Sequence, residues 1–438
     1  MATESIPTTT SKFRVVMAGL VGTTVEWYDF FLYGSAAALV FNRLFFPAQD
    51  PLVGTLLAFI TYAVGFVARP LGGLVFGHFG DRIGRKKLLV LSLLLMGGAT
   101  FLIGLLPTYQ SVGIAAPLML TLLRVVQGFA IGGEWGGAVL IVSEHTDGER
   151  RGFWASWPQA GVPLGNVFGT AVLALLAAVQ SDEAFLAWGW RIAFLLSGVL
   201  VLVGLWVRLA VSESPVFVEA QRKAAAEGTE QKPPVLEVLR RYRSEVLTAM
   251  GARFAENVVY YVLTSFVLTY VTTFLGLPRG LALNAALIAS VLHFASIPMW
   301  GALSDRLGRR PVYLIGTVGT GLWAFAFFAM LDTESFWVML LAITIGLILH
   351  GAMYGPQAAY FSELFGTRVR YSGASIGYQL ASIVAGSLAP IIATGLLAAF
   401  GSSVPISIYV ALCSLVTFIA VWRSPETRTR SLDEDHAV

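Results

Sequence analysis

The chain has 438 residues, 56% hydrophobic and 13% charged, with a mean hydropathy of +0.73, far more apolar than the roughly half-apolar, quarter-charged soluble average. Its 29 basic and 26 acidic residues nearly cancel, so no polybasic field points to nucleic acid. One cysteine, Cys413, and five scattered histidines exclude an intramolecular disulfide and argue against a thiolate cluster, a metal enzyme or a bound cofactor.

A membrane span needs about twenty apolar residues. Twelve such runs follow one another, at 15–43, 53–76, 88–107, 114–142, 153–178, 190–210, 246–275, 281–303, 312–331, 335–360, 371–399 and 403–422. Residues 1–11 are polar and have no basic stretch leading to a cleavage site, so the first run is expected to be a retained helix rather than a signal peptide. The one long polar connection divides the spans six and six. The expected organisation is an N-terminal tail (1–14), a six-helix bundle (15–211), a central loop (212–245), a second six-helix bundle (246–422) and a tail (423–438).

Charges at membrane depth are the informative residues, since each costs about 2.5–3.5 kcal/mol at mid-helix on insertion scales. In span one, Glu26, Asp29 and Tyr33 share a helix face. Arg69 in span two lies toward one end and reads as a snorkelling or gate residue. Arg124 falls mid-way through span four, one turn from Gln127; a permanently ionised guanidinium there needs an anion. Its candidates are Glu26, Asp29 or a substrate carboxylate. Glu134 follows among Gly132, Gly133, Gly136 and Gly137, where close packing is expected, so it is either a packing or gating acid or a proton carrier. Span five offers Gln159 and Asn166, and span eleven Tyr378 and Gln379, either for a central cavity or for helix-to-helix hydrogen bonds. In span seven, Arg253, Glu256 and Tyr260 repeat the stripe of span one, either lining a site between the halves or neutralising each other across one turn. His293 reads as a structural residue or a titrating one, and His350 and Gln357 as packing or gate groups.

The loops repeat. Gly77-His78-Phe79-Gly80-Asp81-Arg82-Ile83-Gly84-Arg85 follows span two, and Gly301-Ala302-Leu303-Ser304-Asp305-Arg306-Leu307-Gly308-Arg309 follows span eight. Glu144 precedes Arg151 at the start of span five, and Glu363 precedes Arg370 at the start of span eleven, with the same spacing. Such recurrence implies two homologous halves. Gly77 and Gly301 let backbones approach closely, while Asp81 and Asp305 are acceptors for a helix N-terminus or a guanidinium in one packing of the halves. Arg82, Arg85, Arg306, Arg309 and Arg370 belong to the same gate or anchor the loops. Lys12, Arg14, Arg82, Arg85, Lys86, Lys87, Arg150, Arg151, the central loop and Arg306 to Arg310 all fall on one side, which is expected to be cytoplasmic, with both termini there.

The loop motifs, with Glu213-Ser214-Pro215 after span six and Pro425-Glu426-Thr427 after span twelve, resemble those of the major facilitator superfamily over essentially the whole chain. Glu26-Trp27-Tyr28-Asp29-Phe30, Ala68-Arg69-Pro70-Leu71-Gly72-Gly73, Arg124-Val125-Val126-Gln127-Gly128 and Gly132-Gly133-Glu134-Trp135 are similar to its metabolite:proton symporters. Arg253-Phe254-Ala255-Glu256-Asn257 looks most like the shikimate-type branch. One departure is Pro311, which stands where a further basic residue would end the second loop motif.

The resemblance implies an all-α polytopic membrane protein of twelve transmembrane helices in two pseudo-symmetric bundles, the major facilitator fold. It also implies alternating access, a proton as coupling ion and a bacterial cytoplasmic membrane, with one chain sufficient as the working unit. The charges suggest a small organic anion as substrate, bound through Arg124, Arg253, Gln127, Tyr33, Tyr260, Gln159, Asn166, Tyr378 and Gln379, with the proton on Asp29, Glu26, Glu256 or Glu134. A zwitterionic osmolyte such as proline or betaine is the alternative, although the short tail Ser431 to Val438 argues against osmosensing. A drug or sugar carrier, a channel and a membrane-embedded enzyme fit the motifs less well.

Overall fold

A computed structural model describes residues 11–47, 51–146, 148–210, 213, 218–219, 222, 234–367 and 369–432, without the side chains of 38–39, 51–56, 59, 81, 234–236 and 279. Among the described residues, twelve helices are long and apolar enough to cross a membrane. They are α1 (Lys12–Ala36), α2 (Pro51–Ile83), α3 (Arg85–Leu105), α4 (Ala115–His145), α5 (Arg151–Val179) and α6 (Trp190–Leu209) in the first half. The second half holds α7 (Arg243–Tyr261, continued by π turns to Phe274), α8 (Arg279–Leu307), α9 (Arg309–Leu331) and α10 (Phe336–Leu364). It ends with α11 (Arg370–Ala381, then Ala389–Phe400 after a π turn) and α12 (Val404–Arg423). Large apolar side chains such as Trp206, Leu322 and Trp337 remain exposed on the outer faces, as a lipid-facing surface requires.

Sequence repetition becomes backbone repetition at the loop motifs. Gly84 and Gly308 each stand immediately before the next helix at φ 109° and 106°, a region where a Cβ is strained. The expected central loop is partly helical: Pro234–Arg241 forms a helix whose Val238 is buried, and Pro at a helix start suits the missing amide.

Glycines set the spacing that the site depends on. A Cβ on Gly72, Gly128 or Gly132 would run into the backbone carbonyl of Phe129, Gly65 or Arg69 respectively, so α2 and α4 touch main chain to main chain. The halves meet where α5 packs along α8 and α10, and where α11 packs along α2 and α4. The two sets of contacts are related by the repeat, since α11, α2 and α4 stand in the places of α5, α8 and α10.

Candidate substrate site and gate

At the end of the molecule that carries the basic loops, the halves are latched by two ion pairs related by the repeat. Arg151 Nη1 lies 2.9 Å from Glu363 Oε1, and Arg370 Nη1 lies 2.8 Å from Glu144 Oε1. Within each half, Arg85 pairs with Glu144, and Arg309 holds Glu363 at 3.1 Å. The Asp305 carboxylate accepts hydrogen bonds from the amides of Gly152 and Phe153, both at 2.8 Å, at the start of α5, where the helix dipole favours an anion. Gly301 sits against the Gly152 carbonyl, and Gly77 against the Ser372 backbone at the start of α11. The side chain of Asp81 lies outside the described residues. Arg306 is exposed and makes no side-chain ion pair among the described residues, so it is not part of the latch; Arg82 is partly exposed at the end of α2. The half-end motifs also act in parallel: Glu213 accepts from the Lys86 amide at 3.1 Å, and Glu426 accepts from the amides of Arg309 and Arg310 at 2.9 and 3.0 Å.

Deeper in the first half, two guanidiniums converge on one ring. Arg69 Cζ lies 4.4 Å and Arg124 Cζ 4.6 Å from the centroid of Phe30. Arg69 also covers Phe66 at 4.1 Å, and Arg124 covers Tyr33 at 4.4 Å and Tyr62 at 4.7 Å. Both are at most 1% exposed, and neither has a carboxylate partner among the described residues. Arg69 Nε and Nη2 and Arg124 Nη2 make no hydrogen bond. Arg124 donates to Gln127 Oε1 at 3.1 Å, and Gln127 donates to Thr100 Oγ1 at 2.7 Å. Gly65 leaves the room through which Arg124 passes α2. Ring contacts at about 0.5–2 kcal/mol each offset only part of a desolvation cost of several kcal/mol per buried ion.

These positions correct two expectations. Arg69 does not snorkel; α2 starts at Pro51, which puts Arg69 in mid-helix and fully inside. Glu26 and Asp29 are not the counter-ions of Arg124, because their face of α1 turns toward α3 and α6. Glu26 lies 3.0 Å from Arg208 and accepts from Ser92 at 3.1 Å, while Asp29 accepts from Ser197 at 2.5 Å. Glu134 joins the same group, 3.5 Å from Arg208 and 2.8 Å from the Thr23 hydroxyl. Arg208, near the end of span six, was not among the sequence candidates.

The second half supplies a different arrangement. Arg253 and Glu256 do pair with each other. Glu256 Oε1 is 3.0 Å from His350 Nε2, and His350 Nδ1 is 3.0 Å from His293 Nε2. Gln357 donates to the Tyr313 hydroxyl at 2.8 Å, and the Tyr260 ring stacks beside His350 at 5.3 Å. His350 and Gln357, expected as packing or gate groups, are therefore part of this charged network, and His293 is hydrogen-bonded into it.

An aromatic stack joins the halves. Arg253 Cζ lies 3.4 Å over the Tyr378 ring, which stacks on Trp135 at 3.9 Å and 18°. Trp135 donates to Gln159 Oε1 at 2.5 Å, and Gln159 donates to the Tyr354 carbonyl at 3.1 Å. Gln379 donates to the Gly132 carbonyl at 3.1 Å, a helix-to-helix bond across the interface. Asn166 stays with its own helix, accepting from Thr170 at 3.4 Å. Tyr33 meets Arg124 and donates to Thr61 at 2.8 Å. Phe66 meets Tyr261 across the halves at 5.9 Å, so the centre is a buried aromatic cluster with three guanidiniums packed on its rings.

Comparison with known proteins agrees with this architecture. The Major Facilitator Superfamily matches the chain over residues 19–374 and 285–437. The shikimate transporter of Escherichia coli K12 is 45% identical over 92% of both chains. The inner membrane metabolite transport protein YhjE of the same strain is 41% identical over 96% of both. A proline/betaine transporter of that strain is 33% identical over 96% of this chain and 84% of its own. Among solved structures, the proton:xylose symporter XylE bound to 6-bromo-6-deoxy-D-glucose superposes with a TM-score of 0.80 at 18% identity, over 97% of this chain and 98% of that one. This chain therefore belongs to the Major Facilitator Superfamily, in the branch of these metabolite transporters, and is a multi-pass inner-membrane transporter rather than an enzyme.

Proposed function

We propose that the chain is a proton-coupled symporter that imports a small organic anion, a shikimate-like hydroxy acid or another mono- or dicarboxylate, by alternating access. The carrying observation is the Arg69–Arg124 pair, buried beside Phe30 with unfilled N–H groups and no carboxylate partner among the described residues. A substrate carboxylate is the ligand that such forked donors accept. Gln127 and Tyr33 contact Arg124, and Arg253 covers the Tyr378 ring from the other half. The name of the 45%-identical relative supports a hydroxylated ring acid.

Asp29 is the coupling acid in this reading. It is fully buried, with a hydroxyl rather than a cation as its nearest hydrogen-bond partner, and a proton is the least costly counter-charge for a dry carboxylate. Thr100 lies beside Asp29 and receives the Gln127 amide that steadies Arg124, so the charge state of Asp29 is felt at the anion site. A proton on Asp29 removes a negative charge from near the anion site and so favours the incoming anion; departure of the anion favours departure of the proton. For a monovalent anion moving with one proton the cycle is electroneutral, and only the pH gradient drives it, by about 1.4 kcal/mol per unit.

The basic loops support a cytoplasmic location for the latched end and both termini; in this reading the latch closes the cytoplasmic exit, and a single chain contains every group used. The 33% identity to a proline/betaine transporter favours a second reading, a zwitterionic osmolyte. A quaternary ammonium seeks aromatic faces, but here the faces of Phe30, Tyr33, Tyr62 and Phe66 already carry guanidiniums. A thermal-shift screen of the purified protein with shikimate, 2-oxoglutarate, benzoate and glycine betaine separates the two. Stabilisation by an acid that is lost in Arg124→Ala and Arg69→Ala is expected; a shift by betaine alone, or an acid shift that survives both substitutions, refutes the anion site.

A further inference from the structure

Between α1, α3, α4 and α6, apart from the Arg69–Arg124 pair, lies a second cluster of buried charge. Arg208 meets two carboxylates, Glu26 at 3.0 Å and Glu134 at 3.5 Å, and all three side chains are at most 5% exposed. One cation against two acids leaves a negative charge that a dry site does not hold cheaply. Thr23 and Ser92 donate to Oε1 of Glu134 and of Glu26, whereas Glu26 Oε2 is buried with no partner. The other titratable groups in reach are Asp29, one turn along α1, and Tyr371 of α11, whose hydroxyl donates to the Gly133 carbonyl at 2.5 Å.

Arg208 of this cluster also lines a crevice. This crevice of about 320 Å³, counting the part open to the outside, runs along Arg208, Leu89 and Ala138 to Lys86 at the end of the molecule that carries the basic loops. Ala18, Gly19, Ala138 and Ile141 complete its wall, and it lies wholly within the first half. It therefore does not pass between Glu144 and Arg370 or between Arg151 and Glu363, the pairs that must part for substrate to leave.

We infer that Glu26, Glu134 and Arg208 form the release site of the coupling proton, and that the crevice is its exit, separate from the substrate path. The step is a transfer between carboxyls: the O–H bond on Asp29 breaks, one on a Glu26 or Glu134 oxygen forms, and the proton then passes to water in the crevice while Arg208 holds the carboxylate left behind. The inference rests on the proton-coupled reading above. Proton and anion leave toward the same side by two doors, so blocking the crevice stops net transport without stopping exchange of substrate, which needs no net proton release.

The test uses proteoliposomes of the full chain with radiolabelled shikimate, comparing uptake driven by a pH gradient with counterflow at equal pH. Ala138→Phe, which fills the crevice, is expected to lower gradient-driven uptake at least tenfold and leave counterflow within twofold. Ala138→Val gives the same separation on a smaller scale, and Ala138→Ser leaves both rates unchanged. Uptake within twofold of the unmodified protein in Ala138→Phe, or uptake and counterflow falling in parallel in both Phe and Val variants, overturns the separate exit. An unmodified protein that exchanges shikimate but ignores the pH gradient refutes proton coupling itself, a result obtained before any variant is compared.

Discussion

Asp305→Asn isolates the contact that biases the two packings of the halves. Its carboxylate spans from α8 to the first amides of α5 at 2.8 Å each, and these bonds exist only while the latched end is closed. The Arg309–Asp305 and Arg309–Glu363 pairs lie within one half and persist in either packing, so they do not enter the difference. Hydrogen bonds to a charged acceptor contribute about 1.5–3 kcal/mol each and neutral ones about 1. Asn keeps one acceptor oxygen and loses the charge, so at the lower end of these ranges the closed state loses about 2 kcal/mol, roughly a thirtyfold change in the equilibrium.

Ser375, buried on α11 against Gly136 of α4, reports that equilibrium. Ser375→Cys reacts with a maleimide when the halves part at that end, and Cys413→Ser removes the native thiol, itself only 4% exposed. Adding Asp305→Asn should raise the labelling rate by about ten- to thirtyfold at unchanged thermal stability of each half. A change below threefold, or a slower reaction, would show that the Asp305 contact does not bias the switch.

The remaining expectations follow from packing and charge. Gly132→Ala drives a methyl into the Arg69 carbonyl and should lower the melting temperature in detergent by several degrees, with anion binding lost because Arg69 moves; circular dichroism with a binding assay checks both. Glu256→Gln leaves Arg253 buried without its ion-pair partner, a loss of about 3–5 kcal/mol in buried pairs generally. Thermal unfolding should show that loss, and a bound acid should stabilise this variant more than the parent. Asp29→Asn removes the coupling acid while keeping the bond from Ser197, so exchange at equal pH should persist while accumulation under a pH gradient disappears.

The latch was legible in the sequence because its residues occur twice. Glu144 with Arg151 and Glu363 with Arg370 announced a paired device, but not that each arginine reaches the glutamate of the other repeat, since that exchange depends on how the bundles face each other. Asp305 at a helix N-terminus followed from the same string, whereas Arg306 shares the string and faces outward. In the centre, depth in a span was legible and direction was not. The spacing of Glu26 and Asp29 put them on one face of α1, yet nothing local says whether that face meets Arg124 or Arg208. Arg69 was misplaced because its span was read as ending at 76, whereas α2 runs on to Ile83 and is 33 residues long. His293 and His350 meet across 57 residues of chain, a contact made only by the packing of α8 on α10.

Uptake of radiolabelled shikimate into proteoliposomes with the interior alkaline tests the central claim most directly, with the unmodified protein beside Arg69→Lys and Arg124→Lys. Lysine keeps the positive charge and loses the planar fork. The account predicts accumulation that collapses with a protonophore and falls at least tenfold in both variants. Accumulation that is indifferent to the pH gradient, or undiminished when both guanidiniums are replaced, would contradict it.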